Sequence, residues 1–295
     1  MSAADHGLVT AVWRRQYAVR LDNGRVARCV ARGRGLAIAC GDRVRLALET
    51  SDRGVIEEVA ARSSLFFRSD GHREKLIAAN VTQVLGIVAP EPPYDDELVQ
   101  RWTIAAESAG CAFVLVANKS DLPSFVSLAP RLAAMRALGY PVVELCAKRD
   151  VAPLAPIVAA RRSALVGQSG MGKSTLINAL APGAAARVGE LSSALGTGRH
   201  TTSETTLYPL DGEGWMVDSP GMKAFGLAHL EADAIEQAFV ELRPLLGRCR
   251  FRDCRHGAEP GCAVQDAVNR GEVKPWRVAL LRSLLGERER RERQR

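Results

Sequence analysis

The sequence contains no apolar run approaching the ~20 residues that a membrane-spanning helix needs. Its start, MSAADHGLVTAVWRR, has no apolar stretch between a basic tip and a small-residue cleavage site, so it does not read as a secretory leader. Internal repeats are absent, and the one low-complexity stretch is the tail 287–295. Of seven cysteines, Cys29, Cys40, Cys111 and Cys146 are scattered singly and imply no pairing. They read as small buried hydrophobes. The expectation from these absences is a soluble, cytoplasmic protein with no membrane partner, and no feature points beyond a monomer.

At 295 residues with 47% apolar side chains, the chain can bury at least one sizeable core and suggests more than one domain. The net charge of +7 is uneven: both ends carry an excess of basic residues and the middle is balanced. That distribution suits a polyanionic partner gripped from two sides, and it equally suits plain solubility charge. Three segments are expected: residues 1–65, 66–228 and 229–295.

The first segment reads as about five short strands between turn signals such as Asp22-Asn23-Gly24 and Gly41-Asp42. This spacing fits a small closed barrel of the OB type, with an SH3-like barrel as the alternative that periodicity does not separate. In the second segment, continuous apolar runs at Val81–Val88 and Cys111–Ala117 alternate with stretches of helical spacing. The pattern indicates a parallel sheet covered by helices on both faces, an α/β domain. The third turns helical, is interrupted by a Cys/His cluster, and ends in a basic helix with an apolar stripe at Trp276, Leu280, Leu281, Leu284 and Leu285.

Residues 167–174, Gly167-Gln168-Ser169-Gly170-Met171-Gly172-Lys173-Ser174, follow the apolar strand Ser163–Val166 and open a helix. Phosphate oxygens need converging N–H donors, and the glycines let backbone amides turn inward without Cβ clashes. The helix N-terminus adds positive potential. Lys173 would reach the β- and γ-phosphates, Ser174 would coordinate Mg²⁺, and Thr175 completes the first turn. The loop alone fits ATP or GTP. Asn118-Lys119-Ser120-Asp121, at the end of a buried strand, decides for guanine: the Asp121 carboxylate can accept from N1–H and the 2-amino group, donors adenine lacks. Cys146-Ala147-Lys148 follows the next strand and looks like the second base-contacting loop of GTPases.

Asp218-Ser219-Pro220-Gly221 fits the DxxG element: Asp218 would hold Mg²⁺ through water and the Gly221 amide would feel the γ-phosphate. The polar stretch 189–206 has the composition of a switch loop, with Thr201 the metal-sensing hydroxyl and Thr202 the fallback. The glutamine that orients water in many GTPases is missing; Met222 stands there and cannot do so. His200 is the candidate that orients or activates water, against the alternative of a solvated loop histidine. Cys249, Cys254, His256 and Cys262 offer three thiolates and one imidazole, a closed tetrahedral set for one structural Zn²⁺. Arg248, Arg250, Arg252 and Arg255 interleave with these ligands and suit phosphate contact or a solvated face.

The guanine motifs precede the phosphate loop, the reverse of the usual order, so the domain reads as circularly permuted. With the small barrel in front, Gly198-Arg199-His200-Thr201-Thr202, and the Cys-x4-Cys-x-His-x5-Cys finger behind, the chain resembles the ribosome small-subunit-dependent GTPases, the RsgA or YjeQ family. The match spans nearly the whole chain. The resemblance implies a circularly permuted P-loop GTPase domain between an N-terminal OB-like barrel and a C-terminal zinc-binding helical domain. It also implies a bacterial factor of late small (30S) subunit maturation that binds rRNA and whose GTP hydrolysis to GDP the subunit stimulates. The family carries a hydrophobic residue where Met222 stands. Gly170 occupies the place of an asparagine that helps hold potassium in related permuted GTPases. If Asp121 reads guanine, Asp121→Asn should shift nucleotide preference toward xanthosine phosphates, measured by competition against labelled GTP. An unchanged preference would contradict the assignment.

Overall fold

The computed structural model of the chain describes residues 5–13, 15–33, 35–70, 73–183, 205–210, 213–218, 227 and 230–293. Alternating apolar residues produce five strands at the start: β1 (Asp5–Trp13), β2 (Gln16–Leu21), β3 (Val26–Ala31), β4 (Arg43–Leu48) and β5 (Arg53–Val59). β4 closes onto β1, with Gly7 opposite Val44, and β3 runs parallel to β5, with Val30 opposite Val55. This is the five-stranded closure of an OB-like barrel. Val9, Val19, Leu46 and Ile56, fully buried, fill its interior.

A hairpin that the sequence pattern did not reveal follows: β6 (Leu65–Asp70) with β7 (Arg73–Ala79). Its end is sewn to the barrel, where the Ala79 amide donates to the Cys40 carbonyl at 2.8 Å and Asn80 Nδ2 donates to the Gly41 carbonyl at 3.0 Å. A side chain at Gly41, whose φ is +91°, would run into the Ala79 carbonyl at 2.3 Å.

The α/β domain then builds β8 (Gln83–Val88), α1 (Asp96–Ser108), β9 (Ala112–Ala117), a 3₁₀ turn (Pro123–Leu128), α2 (Ala129–Ala137), β10 (Val142–Glu144), α3 (Ala155–Val158), β11 (Arg162–Val166), α4 (Lys173–Leu180), β12 (Thr205–Pro209) and β13 (Trp215–Asp218). Helix α1 starts where the Asp95 carboxylate accepts from the Glu97 amide at 2.9 Å, with Asp96 and Glu97 facing the helix's positive end. The strands lie in the order β10-β9-β8-β11-β13-β12, the first five mutually parallel and β12 antiparallel to β13. Their buried runs, six of six residues in β8, are those of a sheet covered on both faces.

One sequence expectation is corrected here. Thr205 and Thr206 belong not to a loop but to β12, where pairing with β13 on one side and β1 on the other buries them. The same strand also joins the barrel to the α/β sheet. Val12 pairs with Thr205 and Ala11 with Thr206, so barrel and α/β strands form one eleven-stranded sheet. Sequence periodicity reports which face is buried but not the partner across a sheet edge, which is why this junction was hidden.

The C-terminal segment contains α5 (Ala232–Gln237), α6 (Ala263–Asn269) and α7 (Pro275–Glu292). Leu280, Leu281 and Leu284 are buried as the stripe requires, whereas Trp276 stays 47% exposed. Beside this apolar packing, two arginines link the helix to its neighbours. Arg277, 1% exposed, forks onto the Glu241 carboxylate, donates to Gln100 Oε1 of α1 at 2.7 Å, and lies 4.4 Å over the Phe239 ring. Arg101 of α1 meets Glu287 of α7, so part of the basic tail is paired rather than solvated.

Removing one partner of a buried ion pair leaves the other charge uncompensated. Arg277→Ala should therefore cost about 3 kcal/mol in urea unfolding. Arg282→Ala, exposed on the same helix, should stay within about 0.5 kcal/mol. Equal effects would contradict the role given to the buried fork.

Candidate functional site

Parallel strands deliver their following loops to one edge of a sheet. β9 releases Asn118–Asp121, β10 leads into Cys146–Lys148, β11 into Gly167–Ser174, and β13 ends at Asp218. The sequence-predicted residues of the base and phosphate loops thus meet at the carboxyl edge of the central strands, in spite of their permuted order. His200, Thr201, Thr202, Gly221 and Met222 lie outside the described residues.

Asn118 has a part that the motif alone did not indicate. Its side chain, on a residue only 3% exposed, donates from Nδ2 to the Met171 carbonyl at 2.9 Å and accepts at Oδ1 from the Ala147 amide at 2.9 Å. One amide therefore ties the phosphate loop to the second base loop. The contact needs glycine at 172: φ there is +93°, and a Cβ would lie 2.3 Å from Asn118 Nδ2. Gly170, at φ +83°, packs under Pro92, whose Cδ would lie 3.0 Å from an added Cβ. A longer residue does not fit there without displacing the proline. Lys119, at φ +63°, donates to the Glu91 carbonyl at 2.6 Å. The Ser120 amide donates to the Leu145 carbonyl at 3.1 Å.

Asp121 is held below the usual carboxylate range, first by a hydrogen bond from the Cys146 thiol and further by nearby Arg149 and Lys148. Ionised and open to solvent, it is a double acceptor ready for two donors. Cys146 joins the scattered buried cysteines by its burial but not by its role, since its thiol faces that carboxylate.

At the phosphate end, Lys173 Nζ donates to the carbonyls of Gly167 at 2.5 Å and Gln168 at 2.9 Å. Burial lowers its pKa, and Asp218 pulls the other way. Asp218 is its counterpart: burial raises its pKa and Lys173 opposes the rise. Asp218 Oδ1 is buried with no hydrogen-bond partner, and so is Gln168 Oε1. Buried acceptors without donors are costly. A hydrated cation at the end of β13 would supply the missing partner for Asp218, which is the test that Mg²⁺ passes here. Ser174 is exposed in the first turn of α4.

Cys249, Cys254, His256 and Cys262 also converge, all four donor atoms within 4.8 Å of one another. The thiol sulfurs lie 3.5 to 3.7 Å from His256 Nδ1, and Cys249 and Cys262 sulfurs are 3.9 Å apart. Ligands at ~2.3 Å (sulfur) and ~2.05 Å (nitrogen) around a tetrahedral ion would be separated by ~3.8 and ~3.6 Å. The cluster has the size of a zinc site and is too wide for a disulfide. Arg248, Arg250, Arg252 and Arg255 are exposed around it, with Arg250 5.5 Å over the Phe251 ring and Arg255 paired to Glu289.

A sequence profile of the RsgA GTPase family matches residues 59–228. The chain belongs to this family. It is 45% identical over 281 residues to the small ribosomal subunit biogenesis GTPase RsgA of Nitrosospira multiformis, covering 95% of this chain and 90% of that one. The protein of the same name from Neisseria meningitidis is 43% identical over 283 residues, covering 96% and 92%. Among solved structures, YjeQ from Thermotoga maritima superposes with a TM-score of 0.74 at 27% identity, covering 97% and 99%. YloQ, described as a circularly permuted GTPase, superposes at 0.71 over 98% and 96%; at 23% identity it supports the fold. The family makes the chain a GTP-hydrolysing enzyme on a permuted α/β fold, and the cluster is compatible with one zinc. No helix among the described residues is long and apolar enough to cross a membrane.

The positive φ at residue 172 disfavours any side chain by about 1–2 kcal/mol, and the collision with Asn118 adds to it. Gly172→Ala should lower GDP affinity by about tenfold or more in calorimetric titration, at unchanged zinc content. Undiminished affinity would mean that the Asn118 tie is dispensable.

Proposed function

We propose that this GTPase acts in late maturation of the small (30S) ribosomal subunit, gripping rRNA with its barrel and zinc domain and leaving when GTP is hydrolysed to GDP and phosphate. The name shared by its curated relatives supports the partner. The observation that carries the reading is the pairing of β1 with β12. β12 takes in the last two residues of the predicted switch stretch, 205 and 206, so that stretch runs straight into the strand paired with the barrel. Basic ends and exposed arginines around the metal cluster favour a polyanion at both extremities. Functional units are assigned at 1–65 (barrel), 66–228 (GTPase) and 229–295 (zinc and helices). The protein works as a cytoplasmic monomer.

In this reading Asp121 takes the guanine edge, with Ser120, Ala147 and Lys148 framing the base and Asn118 bracing the loops. Gly167 to Thr175 wrap the phosphates; Lys173 exchanges its two backbone carbonyls for phosphate oxygens. Ser174, Thr201 and, through water, Asp218 would hold Mg²⁺, which neutralises charge developing on the phosphates. The Gly221 amide is assigned to the γ-phosphate, with Thr202 the alternative to Thr201 at the metal. Cys249, Cys254, His256 and Cys262 hold one structural Zn²⁺. Met222 offers no group to orient water, so that role is assigned to His200 in the complex with the subunit.

Free protein should hydrolyse GTP slowly, and purified small subunits should accelerate it. His200→Ala should lower stimulated kcat by ~10²-fold with GTP affinity nearly unchanged, because the group acts on the transition state. Multiple-turnover phosphate release with and without subunits measures both. No stimulation would overturn the ribosomal reading and leave a nucleotide-binding RNA module. Full stimulation in His200→Ala would move the water-orienting role elsewhere.

A further inference from the structure

The zinc ligands all come from one short stretch of chain, yet His256 faces two ways. Its Nδ1 points at the three sulfurs, and its Nε2 lies 3.7 Å from Oε1 of Glu236, which belongs to α5 and not to the knuckle. The imidazole is 5% exposed and the Glu236 carboxylate 23%. An imidazole bound to a metal through Nδ1 carries its proton on Nε2, and such a proton inside a protein is nearly always given to a carboxylate, carbonyl or water. Among the side chains described around the ring, Glu236 is the carboxylate in reach.

The rest of the knuckle holds His256 in a conformation that presents Nε2 to α5. The residue sits at φ +57°. Its carbonyl accepts from Gln265 Nε2 at 2.7 Å, its amide donates to the Cys254 sulfur at 3.4 Å, and Glu259 takes the amides of Arg255 and Gly257 on either side. A left-handed histidine is uncommon and costs free energy. Gln265 and Glu259 offset that cost, and their combined effect is to fix the direction of the ring.

We propose that Glu236 is the outer-sphere partner of the metal centre, fixing the His256 tautomer and thereby setting the zinc affinity from outside the knuckle. It is a positioning residue, since it touches His256 and not the ion. The inference rests on the zinc reading above. Its structural consequence follows from where α5 lies. Ile235, the residue before Glu236, is fully buried, and α5 packs against both α1 and α7. The metal centre thus faces, across 3.7 Å, the carboxylate of a helix that is itself seated on α1 of the GTPase domain.

The test uses the full chain and competition for zinc against a chromophoric chelator. Glu236→Ala should weaken zinc binding by about 10- to 100-fold, the range such outer-sphere partners command. Glu236→Gln, whose amide oxygen still accepts from Nε2, should recover most of it. Asp233→Asn, one turn earlier on the same helix and exposed, removes the same charge from the same groove and should leave the affinity within twofold. With cobalt in place of zinc, Glu236→Ala should keep the tetrahedral visible spectrum, since all four ligands remain, and bind the ion more weakly. Equal affinity in Glu236→Ala and the parent chain would overturn the proposal, and so would equal weakening by Asp233→Asn. A parent chain that holds no zinc would instead overturn the zinc reading itself.

Discussion

The nucleotide site depends on one side-chain amide. Asn118 is anchored by its own backbone donating to Val88, and its side chain then reaches the Met171 carbonyl on one side and the Ala147 amide on the other. Three loops that are far apart in sequence are set at fixed separation by two hydrogen bonds, each buried and each costly to leave unmade. The glycine at 172, the approach of Pro92 to Gly170 and the lysine at 119 in a left-handed conformation all follow from packing these loops that closely. Permutation of the chain leaves the arrangement unharmed because the tie is made across the sheet edge and never along the sequence.

The same sheet organises everything outward from the site. Toward the N-terminus, β12 passes its free edge to β1, and Arg20 of the barrel lies 5.4 Å over the Trp215 ring at the seam. Toward the C-terminus, α1 receives α7 through Arg277 and Arg101, and Arg243 reaches Glu107 near the other end of α1. These directional bonds frame an apolar core shared by both sides, in which Trp102 and Ile104 of α1 lie in one buried cluster with Phe239, Leu281 and Leu284. Nucleotide chemistry sits at the centre of a frame whose two arms are each bonded to a strand or helix that flanks the site.

Much of this was legible in the sequence, and for physical reasons. Buried parallel strands leave unbroken apolar runs, so β8, β9 and β11 were plain. Glycines that must adopt positive φ or admit a phosphate mark Gly167–Ser174, and metal ligands announce themselves by residue type and spacing. What escaped depends on partners distant in sequence. The hairpin β6–β7 is short and mixed in pattern. The pairing of β1 with β12 is a register, which composition does not encode. The bracing role of Asn118, the Cys146 thiol facing Asp121, the burial of Arg277 and the approach of Glu236 to His256 are all tertiary facts about side chains that each look ordinary in their own segment.

The claim most open to direct trial is that a single amide couples the base loops to the phosphate loop. Hydrogen exchange of the nucleotide-free chain, resolved at single residues and compared with Asn118→Ala, addresses it without reference to turnover. The account predicts that the variant loses protection at the Ala147 amide, which donates to the missing oxygen, and that exchange also rises through Met171–Lys173 on the far side of the tie. A rise at Ala147 with the phosphate loop unchanged would contradict it, because the loops would then hold their places independently.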